Sequence, residues 1–209
     1  NVKEAVYVKR ISLLLAVLLT LNCVIVCGAE WETIRSADGT YEYTEDGIIT
    51  AYYGDEIALF PSEIDGTKIR EIGVMACFDL GIESISVWDG IEIINTNAFE
   101  GCNAEYAYIP SSMKYIGERA FSNCENLAEI TLCSEETVFD YDVFMGTRHI
   151  KFNIPCTADK RVMYDKISDA KGDSDFEFSA MHTALTESMD EKDIFGENMI
   201  YCEDCGFKG

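Results

Sequence analysis

Ile72-Gly73-Val74-Met75-Ala76-Cys77, Ile94-Asn95-Thr96-Asn97-Ala98-Phe99 and Ile116-Gly117-Glu118-Arg119-Ala120-Phe121 spell one hydrophobic phrase three times, each copy starting 22 residues after the last. Cys102 and Cys124 keep the interval, three residues after their Phe. A fourth, worn copy comes one residue late at Val143-Phe144. A fixed period of this size describes stacked units, each too small to bury its own apolar face. Stacked units usually build binding surfaces, so recognition is the first expectation, ahead of catalysis.

Each unit has two apolar halves. One is a short alternating run: Ile82, Ile85 and Val87; Ala104, Ala107 and Ile109; Leu127, Ile130 and Leu132; and, in the fourth, His149, Phe152 and Ile154. The spacing of two between the last members is strand spacing. The other half is the Ile-Gly-x-x-Ala-Phe phrase, suited to a tight turn or a short 3₁₀ segment. Turn residues join the halves, Trp88-Asp89-Gly90 in the first unit and Pro110-Ser111-Ser112 in the second. Stacking then sets equivalent strands side by side in a parallel sheet at about 4.8 Å spacing and fuses the apolar positions into one core.

The run Ile109-Pro110-Ser111-Ser112-Met113-Lys114-Tyr115-Ile116-Gly117-Glu118-Arg119-Ala120-Phe121-Ser122-Asn123-Cys124 closely resembles the BspA-like leucine-rich repeat. The entry, Gly47-Ile48-Ile49-Thr50-Ala51-Tyr52-Tyr53-Gly54 and then Phe60-Pro61-Ser62-Glu63-Ile64-Asp65-Gly66, looks like the same family, and the resemblance runs over residues 41–180. It implies an α/β solenoid with short parallel strands, tight turns or 3₁₀ segments opposite, and a helix–strand cap at the C-terminal end. Cys77 stands where the family places Phe and Leu80 where it places Cys. The fourth unit keeps only Val143-Phe144 and the Ile154-Pro155 end.

The chain divides accordingly. Residues 41–156 read as a solenoid of about four repeats, and residues 157–180 as its cap. Within the cap, Thr157 to Ala170 is an expected helix with Val162, Met163 and Ile167 on its apolar side. Gly172 stops it, and Phe176-Glu177-Phe178 supplies a last strand. Residues 181–209 form an acidic tail carrying Glu187, Asp190, Glu191, Asp193 and a Cys-x-x-Cys. At the other end, Lys3, Lys9 and Arg10 precede an apolar run from Ile11 to Val26, followed by Cys27-Gly28-Ala29. This describes a secretory signal cut after Ala29, or, since the run is long, an uncleaved anchor. The protein is expected to be secreted or held at the cell surface.

The net charge is −22 over 209 residues. Residues 1–29 hold Lys3, Lys9, Arg10 and Glu4, a net of +2, so the remainder carries −24. Such a surface repels nucleic acid and anionic membrane. Membrane contact is expected only through the N-terminal segment, if that stays attached. Asp169, Asp173 and Asp175 do not follow the order of an EF-hand loop.

Chemistry finds little support. His149 and His182 are the only histidines, and His149 is expected to point inward on its strand. No Gly-x-Ser-x-Gly, His-Glu-x-x-His or phosphate loop is present. Of nine cysteines, Cys77, Cys102 and Cys124 fall at core positions and read as buried thiols, although a disulfide between adjacent turns is also within reach. Cys202-Glu203-Asp204-Cys205-Gly206 has the spelling of half a zinc ribbon, but no second Cys-x-x-Cys exists to complete four ligands. No cofactor is expected; zinc, a local disulfide or plain thiols remain open at Cys202 and Cys205.

A ligand would meet the residues that alternate with the inward ones. Those form one row of Ser84, Tyr106, Glu129 and Lys151 and a second of Ser86, Tyr108, Thr131 and Asn153, with Trp88 beside them. The expected function is therefore non-catalytic recognition or adhesion, through this strand face, of a protein or glycan on a cell surface or matrix. Two alternatives stand beside it: a structural module of a cell-envelope assembly, and a metal- or redox-responsive protein working through Cys202 and Cys205.

Overall fold

The computed structural model describes residues 32–172 and 174–181 and opens with an antiparallel ribbon, β1 (Thr33–Arg35), β2 (Tyr41–Thr44) and β3 (Ile48–Tyr52). Strand β4 (Ile57–Phe60) follows, then a small hairpin of β5 (Glu63–Ile64) and β6 (Thr67–Lys68). Asp65 and Gly66, both at positive φ, make its turn. From β7 (Glu71–Ile72) the repeat takes over, with β8 (Ser84–Val87), β9 (Ile93–Ile94), β10 (Tyr106–Ile109), β11 (Tyr115–Ile116), β12 (Glu129–Leu132), β13 (Val138–Phe139) and β14 (His149–Pro155). Helix α1 (Lys160–Ala170) and strand β15 (Asp175–Met181) complete the described chain.

Two sheets run along the stack. One, ordered β4-β8-β10-β12-β14-β15, is parallel throughout and marks about six turns. The other, β1-β2-β3-β7-β9-β11-β13, joins the entry ribbon to the two-residue strands on the opposite side. Period-two alternation buries Ile85 and Val87, Ala107 and Ile109, Ile130 and Leu132, and Phe152 and Ile154 between the sheets. From across the core, Ile72, Ile94 and Ile116 meet them. The architecture is a β-solenoid: α1 is the one α-helix among the described residues, which corrects the α/β expectation.

Opposite the six-stranded sheet, the Ala-Phe phrase forms a turn rather than a 3₁₀ segment. Met75, Asn97, Arg119 and Asp142 sit at φ 54–56°, and Asp79, Gly101, Asn123 and Gly146 again at positive φ four residues later. Two left-handed residues per turn fold the chain back within each unit. The amides midway between them point forward along the stack: Cys77 N–H donates to Ala98 O, Phe99 N–H to Ala120 O and Phe121 N–H to Val143 O, at 2.8–2.9 Å. At the entrance to the strand column the amides point backward, Glu83 N–H to Glu56 O (2.7 Å) and Glu105 N–H to Glu83 O (2.8 Å). Every turn is thus tied to both neighbours.

Between the sheets runs a column of rings. Phe60, Phe99, Phe121, Phe144 and Phe152 follow one another at centroid distances of 5.3, 5.3, 5.9 and 5.4 Å, all essentially inaccessible to solvent. Tyr41 and Tyr52 of the entry ribbon close its first end, Tyr52 lying 5.4 Å from Phe60. Their hydroxyls also donate to the Leu59 and Asp55 carbonyls, covering the backbone edge of β4. At the other end Phe176 and Phe178 of β15 reach Phe152, both at 6.1 Å.

Helix α1 starts where Asp159 accepts from Arg161 N–H (2.8 Å) and Val162 N–H (3.3 Å). It buries Met163, Ile167 and Ala170 and leaves Val162 exposed. Met163 and Ile167 lie on the expected apolar side, and Ala170 rather than Val162 completes it, because 163, 167 and 170 keep the i, i+4, i+7 spacing of one helix face. A second correction concerns His149. Strand β14 starts at His149, so its alternation carries Ile150, Phe152 and Ile154 inward and turns His149 out to solvent, 4.0 Å from Glu177. Cys77, Cys102 and Cys124 are buried free thiols. Cys102 and Cys124 donate to the Cys77 and Phe99 carbonyls of the preceding turn, each at 3.1 Å. Burial raises their pKa values to about 11 and about 12.

Candidate functional site

The outward positions of the six-stranded sheet line up in rows fixed by register. Ile57, Ser84, Tyr106, Glu129, Lys151 and Glu177 are successive partners. Leu59, Ser86, Tyr108, Thr131, Asn153 and Ser179 form the next row. Trp88 follows β8 directly. Its N–H donates to Phe60 O at 2.9 Å, and the next turn holds the segment behind it. There Asp89 Oδ1 accepts from Ser111 Oγ (3.0 Å) and Ser112 N–H (3.1 Å), while Ser112 Oγ accepts from Gly90 N–H at 2.8 Å.

The rows divide into two halves of different character. Over β12 and β14 the polar groups satisfy one another. Lys151 lies 3.8 Å from Glu129, and Asn153 donates to Glu129 and, at 3.4 Å, to Thr131. Exposed pairs of this kind add little stability, and with their charges matched they offer a partner little. Over β4, β8 and β10 the face is apolar and aromatic. Trp88 is 50 % exposed, Tyr106 49 % and Ile57 62 %.

Tyr108 and Ser86 are less available than alternation alone implies. Ser86 is only 5 % exposed, since it sits on β8 between Leu59 of β4 and Tyr108 of β10. Tyr108 is half-buried, and burial first, then its bonded Cys133, hold the phenol well above its ordinary range. Burial also pushes the Cys133 thiol up, with the Tyr108 bond opposing. These two residues support the face; Trp88 and Tyr106 present it.

Sequence reasoning missed Ile57. Its partner Ser84 lies 27 residues on, because the β5–β6 hairpin lengthens this turn, so the 22-residue period does not reach it. The signal was the alternation in Ile57-Ala58-Leu59-Phe60, with Ala58 and Phe60 buried. Also missed were three carboxylates, Glu56, Glu83 and Glu105, that precede the strands. Among the described residues none of the three takes part in an ion pair, and no group of three or more His, Cys, Asp or Glu is placed to hold a metal. Cys202, Cys205 and His182 lie outside the described residues, as does the N-terminal segment.

Solved structures similar to this fold include two leucine-rich repeat proteins. One from Bacteroides capillosus is 22 % identical, with a TM-score of 0.48, covering 69 % of this chain and 98 % of its own. One from T. pallidum is 20 % identical (TM-score 0.36), covering 58 % and 68 %. The pneumococcal vaccine antigen PcpA is 15 % identical (TM-score 0.33); the match covers 59 % of this chain and half of that one. No curated protein matches the sequence. The model of the BspA type leucine-rich repeat region matches residues 59–163 in six copies, half of the chain, and the chain belongs to that family.

Proposed function

We propose that this chain is an exported, non-catalytic recognition protein whose strand face binds a protein or glycan on a cell surface or matrix. The observation that carries the reading is the exposure of Trp88, directly after β8, and of Tyr106 on the adjoining strand β10. Aromatic side chains on a rigid support bury large area at little entropic cost, which is why they anchor interfaces. The family is one of repeat proteins, whose stacked units build extended binding surfaces.

In this reading residues 1–29 direct export or anchor the chain, residues 41–156 present the surface, and residues 157–180 cap it. Burial of Met163, Ile167 and Ala170 under α1 supports the capping role. Binding is assayed with residues 30–209 against matrix proteins, glycans and whole cells, beside a Trp88→Ala/Tyr106→Ala variant. The expected result is capture by the parent and its loss in the variant. Capture that the variant retains refutes the site.

A further inference from the structure

The six-stranded sheet ends differently at its two sides. Beside β4 the Tyr41 and Tyr52 hydroxyls of the entry ribbon cover the Leu59 and Asp55 carbonyls. At the other side β15 ends the sheet, and among the described residues no strand lies beyond it. All of its residues, Asp175 to Met181, pair with β14. In a parallel pair, alternate residues make both bonds to a given neighbour. Asp175 N–H donates to Arg148 O at 3.2 Å, so Asp175, Glu177, Ser179 and Met181 are the residues that β14 engages. The N–H and C=O groups of Phe176, Phe178 and Ala180 therefore point along the outer edge. The core is open here as well. Ile150, Phe152 and Ile154 of β14 are at most 1 % exposed, whereas Phe176 and Phe178 are only partly buried. No Pro, Lys or bulge interrupts β15, the devices that commonly keep an edge from pairing.

Such an edge selects its partner by register and by charge. Turned about a two-fold axis through Phe178, perpendicular to the sheet, β15 pairs antiparallel with itself over its full length. Phe178 then meets Phe178 and Phe176 meets Ala180, the positions whose backbone groups point outward, which gives about six N–H···O=C bonds. Glu177 falls opposite Ser179 and Asp175 opposite Met181, so no like charges stand directly opposed. Net charge points to the same meeting place. Residues 33–140 hold 5 Lys and Arg against 21 Asp and Glu, while residues 141–181 hold 6 against 7. Two copies of this chain repel along most of their length and least at this end. We propose that two copies of the chain join through their β15 edges, continuing the six-stranded sheet of one copy into that of the other. The partly buried Phe178 rings meet across the axis. Paired residues of an antiparallel ladder point to one side, so the outward rows of both copies face the same way. On the strand-face reading above, a surface carrying repeated ligands then engages both copies at once.

The test is sedimentation velocity on residues 30–209 over a concentration series from about 1 to about 200 µM, the range in which contacts at the small end of specific interfaces dissociate. The expected result is a monomer–dimer equilibrium with a dissociation constant in the micromolar range. Ser179→Glu sets a carboxylate opposite Glu177 of the other copy, twice per dimer, and is expected to weaken the dimer about tenfold. Ser179→Lys sets a cation there and is expected to tighten it several-fold. Ala180→Pro removes an edge N–H without touching a bond to β14 and is expected to weaken the dimer too. Asn103→Glu and Asn103→Lys make the same charge changes at an exposed position before β10 and are expected to leave the equilibrium unchanged. Hydrogen exchange at the Phe176, Phe178 and Ala180 amides is expected to slow as the dimer fills. A monomer at every concentration overturns the proposal; slow exchange at those three amides in that monomer would give the edge to residues 182–209 of the same chain. Equal dimerisation of Ser179→Glu and Ser179→Lys also overturns it, since the contact would then lie elsewhere. So does an equal shift in the Asn103 pair, which would mark a general field of the acidic chain. Far-UV circular dichroism checks that the variants are folded.

Discussion

Replacing Phe121 by Ala removes the middle ring of the column. Phe121 is fully buried and stacks near-parallel on Phe99 (5.3 Å, 15°) and on Phe144 (5.9 Å, 18°). Truncating a buried Phe costs about 3–5 kcal/mol through lost transfer energy and the cavity left behind. Here the cost belongs near the top of that range. Both neighbours lose a face contact of about 0.5–1.5 kcal/mol, and their backbones, held by Phe99 N–H to Ala120 O and Phe121 N–H to Val143 O, cannot close the gap. With a denaturant slope of about 2 kcal/mol/M in urea, the unfolding midpoint should fall by roughly 2 M. Urea titration followed by circular dichroism reads this directly. A Phe99→Ala/Phe121→Ala cycle should return a coupling of about 1 kcal/mol. A single-variant loss below about 2 kcal/mol would refute the idea of a ring column shared between turns.

Three further outcomes follow from the turns. Arg119→Gly should stabilise by about 1 kcal/mol, because Arg119 pays for φ 54° with a Cβ that Gly lacks; unchanged or reduced thermal stability would count against this. Gly117→Ala should destabilise by roughly 1–3 kcal/mol, since its Cβ would lie 2.8 Å from Thr96 N; a neutral thermal melt would contradict it. The thiols of Cys102 and Cys124 have folded pKa values of about 11 and about 12 against an ordinary 9.0, so the folded state holds the proton more tightly. Their contribution is complete below pH 9 and is lost as pH rises through the folded values. Melting temperature should therefore fall from pH 9 to 11 more steeply in the parent than in Cys102→Val/Cys124→Val, and parallel curves would refute the assignment.

The repeat, its strands and its inward residues were legible because one spacing fixes them all. What did not repeat was harder to read. Tyr41 and Tyr52 close the ring column from a ribbon of different geometry, and nothing in the period announces them. The left-handed positions were hidden because Met75 and Arg119 share them with Asn97 and Asp142, two residues that tolerate that conformation and two that do not advertise it. His149 occupies the place of Leu127 by count, yet β14 is longer than the other strands of the repeat, and its alternation overrules the count. On the binding face the rows follow from register, while the burial of Ser86 depends on the size of Leu59 and Tyr108 beside it. Side-chain volume across neighbouring turns is a three-dimensional property that a period cannot carry.

The forward-pointing amides of the turns and the backward-pointing amides of the strand column make each unit an interchangeable part. A block of 22 residues receives from its neighbours the same set of bonds that it gives. Recombination between repeats can therefore add or drop whole blocks, joining each new junction with the partners the old one had. The bend before the strand is where a single residue fits, as between Cys124 and Leu127, one position longer than between Cys102 and Ala104. The β5–β6 hairpin fills the bend after β4 in the same way, whereas an insertion within a strand would break the register of its sheet. A lineage of such chains should therefore vary in length by multiples of the unit, lengthening the presented surface without redesigning the core.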